Sequence, residues 1–203
     1  MFERIINKFS EVGAKNVFIG SIKRIRYFFL QKKYGFDKWH ISPMEHRKYA
    51  QEVIRYINTQ PNSVKKVIDI GCGLGDVIRY IKAEEKLGYD LDDAAIKVAR
   101  TLGKHDKTKY VIGSFDDIKS GQEIDYLITL GFMHGGDEKV WIEPYRKVSE
   151  ENLIKNIIVD VIPEGKDNAH TLDFTKILPS DYFLKDRIGP FLGDKYIEVY
   201  AKR

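Results

Sequence analysis

The sequence predicts a doubly wound α/β fold built on a mostly parallel sheet, and three observations predict it. The run Val67 to Asp76 (VIDIGCGLGD) is apolar, carries one acid at Asp69, and then places glycines at Gly71, Gly73 and Gly75. That pattern reads as a buried parallel strand entering a tight turn, with a helix expected just beyond it. A second short strand ends in Asp90, 19 residues after Gly71. Apolar runs then continue to alternate with helical segments, as parallel strands joined by crossover helices require.

Taken in order, the first 33 residues are basic and amphipathic. They hold eight Lys or Arg against Glu3 and Glu11, an excess of six in a chain whose total is +4. Their apolar residues approximate helical spacing, which predicts two short helices broken near Gly13 and Gly20. Such a segment packs on the core, meets a second copy, or contacts anionic lipid headgroups or a phosphorylated substrate. An aromatic stretch, Tyr34 to Trp39, follows. Ser42, Pro43 and Glu45 then read as an N-cap, first helical position and capping box. The helix they open runs to about Asn58 and stops before Pro61.

Past the glycine turn, Asp92 or Asp93 suits the N-terminus of a helix after the second strand. A third strand starts at Tyr110 and leads into Gly113, Ser114 and Phe115. Asp125 to Leu130 is the fourth strand, with its loop beginning at Gly131. Lys139 to Glu150 is helical, and Leu153 to Ile162 is the fifth strand, carrying Asp160 in an apolar run. Asp173 to Leu178 is helical or loop. Tyr182 to Arg187 and Lys195 to Ala201 form a closing antiparallel pair. The division expected is a basic leader over residues 1–60 and a core over 61–203.

The glycine spacing limits the ligand. A dinucleotide fingerprint needs a glycine at position 76, where the chain has Asp76. Asp69 inside the motif would repel phosphate and suits an ammonium group, directly or through water. The pattern Asp-x-Gly-x-Gly-x-Gly resembles motif I of the class I S-adenosylmethionine (SAM) methyltransferases. The resemblance runs from about Val64 to Ile162 and implies a Rossmann-like sheet of seven strands with helices on both faces. It also implies SAM as cofactor, held by Asp69, Gly71, Gly73 and Gly75. Asp90 and Leu91 would meet the ribose end, an acid at that distance being placed for ribose hydroxyls. Ser114 and Phe115 would border the adenine, although Ser114 stands where the family often has an acid. Leu130 would lie near the reacting methyl. Residues 1–60 would then form a helical lid, with Trp39, His40, His46 and Tyr49 as candidate walls of the acceptor pocket.

For catalysis, the resemblance puts the loop after the fourth strand beside the methyl. His134 is the candidate base there, since histidine titrates near neutral pH, and Asp160 would orient it. His40 and His46 are the next candidates, and His170 is weaker. An Asn/Asp-Pro-Pro-aromatic signature, usual for methylation of base or glutamine amino groups, is replaced by Thr129-Leu130-Gly131-Phe132. Acids that would converge on a metal are lacking, so no metal is expected. These readings favour O-methylation of a small polar acceptor, a sugar or phosphorylated compound among the candidates. The alternatives are N-methylation of a small amine and a non-catalytic SAM-binding partner subunit.

Composition excludes other classes. Apolar residues make up 43% of the chain, enough for a full core, and the single cysteine, Cys72, excludes an internal disulfide. No run approaches the length of a membrane span, and no signal-peptide pattern opens the chain, so a cytoplasmic protein is expected. The modest basic excess, confined to one end, disfavours nucleic acid as a partner.

Overall fold

The computed structural model describes residues 2–131, 137–162 and 172–203, with side chains from residue 7 onward. Seven strands form one sheet in the order β3-β2-β1-β4-β5-β7-β6. They are β1 (Lys66–Ile70), β2 (Glu85–Asp90), β3 (Lys109–Ile112), β4 (Glu123–Thr129), β5 (Leu153–Val161), β6 (Tyr182–Phe191) and β7 (Lys195–Lys202). The first five pair in parallel, and β7 runs antiparallel to both β5 and β6. Strand order reverses between β1 and β4. A ligand crevice opens beside the carboxyl ends of strands at such a point.

Both sheet faces are buried, which explains why β1, β4 and β5 read as near-continuous apolar runs. One face packs Ile68, Leu127, Ile157 and Tyr200 against α5 (Lys139–Glu151) and the short α6 (Phe174–Ile177). The other packs Val67, Ile128, Ile158 and Val199 against α3 (Lys48–Asn58) and α4 (Asp93–Leu102). The sequence division at residue 60 therefore cuts through a layer, because Ala50, Val53 and Ile57 of α3 are fully buried members of the core.

Three local expectations differ from the structure. The leader forms α1 (Phe2–Val12) and α2 (Ala14–Tyr34), broken at Gly13 but continuous through Gly20. Gly20 instead gives the room in which the His46 ring lies; a Cβ there would overlap that ring. The capping box at Ser42 is not formed. Met44–His46 make a single 3₁₀ turn and α3 starts only at Lys48. Glu45 is turned away to pair with Lys23 of α2.

The third difference is the largest. No α-helix follows the glycine turn, only a 3₁₀ turn at Ile78–Tyr80 before β2 begins at Glu85. The segment is short and carries β-branched residues, and its first acid is taken by long-range partners. Asp76 accepts hydrogen bonds from the Tyr27 hydroxyl (2.6 Å) and the Met44 amide (3.2 Å). In place of the missing helix, α2 and the chain after it close over α4 and the turn. Tyr27 and Phe36 pack with Leu74, Ala95 and Val98.

Candidate active site

A cavity of about 920 Å³ lies at the carboxyl ends of β1, β2 and β4. Its floor is the glycine turn. Gly71 and Gly73 have φ of +71° and +53°, conformations that favour glycine. A Cβ on Gly73 would lie 2.5 Å from Nδ1 of His40, so the leader sits directly on the turn.

Asp90 closes one end. It is buried, and its two carboxylate oxygens accept the amides of Gly73 (2.7 Å) and Asp92 (2.9 Å). Each oxygen keeps a further lone pair for a ligand hydroxyl. Asp92, not Asp90, caps α4 by accepting from Ala95 (3.0 Å). Leu91, three-quarters exposed, and Ser114 line the same end.

The opposite end is made by residues far apart in sequence. The ammonium of Lys195, at the start of β7, pairs with Asp160 at the end of β5 and lies 4.3 Å from the centre of the Tyr49 ring. The second Asp160 oxygen accepts the Gly131 amide (2.8 Å), fixing the chain where β4 ends. Tyr49, Lys195, Leu130 and Gly131 line the cavity; Asp160 holds them from behind. Between the two ends, Arg47 lines the wall, with one guanidinium nitrogen 3.8 Å from Asp76. Burial opposes its charge, but Tyr49 and Asp76 more than offset this and move its pKa up.

Asp69 lies behind the turn and does not line the cavity. Burial, with Asp90 nearby, pushes its pKa up to about 8, against the pull of Arg47 and the Ile78 amide. Cys72 is also held protonated by burial, which makes it a packing thiol rather than a nucleophile.

Of the other sequence candidates, Trp39, His40 and Tyr49 line the cavity. His46 does not: its ring meets the Val17 carbonyl (3.1 Å) between α2 and the 3₁₀ turn. Phe115 does not either, because a short turn swings its ring into the core, 5.0 Å from that of Tyr145. His134 and His170 lie outside the described residues. Arg47, Asp76 and Lys195 were not picked out by the sequence. Asp76 carried a signal, being an acid where a third fingerprint glycine would stand. Arg47 and Lys195 carried none, since their roles come from tertiary packing.

No protein-family model matches the sequence, and no curated protein matches it. Solved structures do match. The magnesium protoporphyrin IX methyltransferase of Synechocystis PCC 6803, with bound SAM, superposes with a TM-score of 0.66 at 13% identity, over 93% of this chain and 97% of that one. The N-methyltransferase NodS of Bradyrhizobium japonicum WM9, in complex with S-adenosyl-L-homocysteine, gives 0.65 at 13% identity, over 87% and 97%. A TehB-like SAM-dependent methyltransferase of Corynebacterium glutamicum gives 0.54 at 17% identity, over 76% and 88%. The chain therefore has the class I SAM-dependent methyltransferase fold.

Proposed function

We propose that this chain is a SAM-dependent methyltransferase acting on a small polar acceptor. The observation that carries the reading is the cavity itself: a glycine turn with an acid at one end, roofed by the leader, at the point where strand order reverses. Its volume of about 920 Å³ is at the upper end for a single small-molecule site, room for a cofactor and a modest acceptor together. The superposed structures that carry SAM or S-adenosyl-L-homocysteine support the choice of cofactor.

The residues fit that group. Asp90 offers free lone pairs to ribose hydroxyls, and Leu91 and Ser114 border the adenine. The glycines admit close approach of the backbone. Arg47 is placed to meet a carboxylate, and Asp69, once ionised above its raised pKa of about 8, attracts an ammonium group from behind the turn. When bound, SAM supplies a methyl group on a sulfonium whose departure leaves a neutral thioether, so the donor needs little activation. The protein's work is then alignment. Leu130 and Gly131, fixed through Asp160, form the wall at the methyl position. Trp39, His40, Tyr49 and Lys195 bound the acceptor and exclude water. Holding two reactants in line contributes up to about 7–11 kcal/mol. For a hydroxyl acceptor, His134 remains our candidate base, a role worth about 10²–10⁴-fold.

Calorimetry tests the cofactor. SAM is expected to bind, NAD is not, and Asp90→Ala should weaken SAM by about 1.5–3 kcal/mol, the scale of hydrogen bonds to a charged group. Unchanged affinity in that variant would sink the ribose assignment. Methyl transfer from labelled SAM to sugar phosphates, nucleotide sugars and small amines then tests the reaction. Tight SAM binding without turnover on any of them would favour a non-catalytic subunit.

A further inference from the structure

The outer face of α2 has no partner among the described residues. Phe18, Ile22, Ile25 and Phe29 are 69%, 54%, 60% and 66% exposed. Their spacing of four, three and four residues puts them on one stripe of the helix. The buried residues of the helix, Gly20 and Tyr27, lie on the opposite side. The amphipathic pattern in the sequence is thus only half used by the core. Folded monomers rarely leave an apolar patch beyond a few hundred Å² uncovered, and larger ones mark interaction sites.

Charge identifies what covers it. Ala14–Tyr34 contains no Asp or Glu, and it carries Lys15, Lys23, Arg24, Arg26, Lys32 and Lys33. Lys15, Arg26 and Lys33 run in a row along one edge of the stripe, and Lys32 lies on the other. Lys23, on the inner side, pairs with Glu45. Among the described residues, none of the four edge cations enters an ion pair. A second copy docked through this face would set like charges against like. An apolar stripe with cationic edges fits a surface that is apolar within and anionic at its boundary. No helix in the described residues is long and apolar enough to cross a membrane, so the helix would lie along the surface.

We infer that α2 is an interfacial helix that seats the protein on an anionic lipid bilayer, with Phe18, Ile22, Ile25 and Phe29 entering the acyl boundary. Beyond the end of α2, Asp37, Trp39 and His40 line the cavity. The inference does not depend on the methyltransferase reading.

The test is co-sedimentation of the full chain with phosphatidylcholine vesicles containing or lacking phosphatidylglycerol. Partitioning should be at least tenfold stronger with the anionic lipid and should fall in high salt. The triple variant Ile22→Ser, Ile25→Ser, Phe29→Ser should lose binding at least tenfold while keeping the wild-type melting temperature, since these side chains are already exposed. Replacing Lys15, Arg26 and Lys33 by Gln should remove the preference for anionic lipid. Absence of vesicle binding by the wild type, or binding unaffected by the triple variant, would overturn the inference. So would sedimentation velocity showing a dimer that the triple variant dissolves, with no vesicle binding.

Discussion

The two ends of the cavity are held by different means. At the Asp90 end a carboxylate is satisfied by main-chain amides of Gly73 and Asp92, all within one short stretch of chain. At the Lys195 end a carboxylate is satisfied by a side-chain cation brought from another strand, and that cation in turn packs on a ring from α3. The first arrangement depends on backbone that the turn already fixes. The second depends on three side chains meeting in a region with little water, Asp160 being fully buried. Loss of one partner is therefore more costly at the second end, because a buried carboxylate loses its cation.

Lys195→Met is accordingly expected to show the largest effect, a destabilisation of about 3–5 kcal/mol measured by denaturant unfolding. The double variant Lys195→Met with Asp160→Asn should recover a large part, since the buried carboxylate charge is gone while Asn still accepts the Gly131 amide. SAM affinity should change little in the double variant, and turnover should fall. If the double variant is no more stable than the single one, the pair is not what holds this end.

Asp69→Asn gives the middle effect and acts at the first end. An acid with its folded pKa raised to about 8 keeps its proton when the unfolded chain has lost its own. Wild-type stability should thus fall as pH rises from about 4 through 8. Asn carries no proton to lose, so the variant should be more stable at pH 8, on the order of 1–3 kcal/mol, with the two converging near pH 4. SAM binding should run the other way. At pH 6 both proteins are neutral here and should bind alike. Above pH 8 the wild-type carboxylate attracts a cationic ligand, and its affinity should exceed that of the variant. Calorimetry at the two pH values checks this; equal affinities throughout would limit Asp69 to supporting the turn.

The same contrast explains what was legible in the sequence. The strands themselves, the glycine turn and Asp90 were readable because each is a local pattern: an apolar run, a spacing of glycines, an acid at a set distance. The helix after the turn was expected from that pattern but is absent, because Asp76 is claimed by Tyr27 and Met44 from the leader. Phe115 was expected at the adenine, yet a turn of three residues sends its ring to Tyr145. Arg47 and Lys195 were invisible, since nothing in their neighbours in sequence announces Asp76 or Asp160. Half the stripe of α2 was readable as amphipathic, but only the fold shows which side the core uses.

His46 gives the smallest expected effect and tests whether the leader is scaffold or chemistry. Burial, helped by Lys8 and Arg24, lowers its pKa against the pull of the Val17 carbonyl and Glu45. A histidine depressed on folding binds its proton more readily in the unfolded chain. Its contribution to stability is therefore present above the unfolded value near 6.5 and is lost as pH falls. The ring is partly open to solvent, so the effect should stay below about 1 kcal/mol, roughly 2–4 °C in Tm for a chain of this size. His46→Gln, whose amide can still donate to Val17, should remove that slope. Melting curves at pH 5.5 and 7.5 should show the wild type losing more than the variant on acidification. At pH 7.5 the variant should keep its turnover, because His46 lies outside the cavity. A variant that binds SAM normally but turns over at least tenfold more slowly would put His46 back among the catalytic candidates and break the distinction between roof and reaction centre.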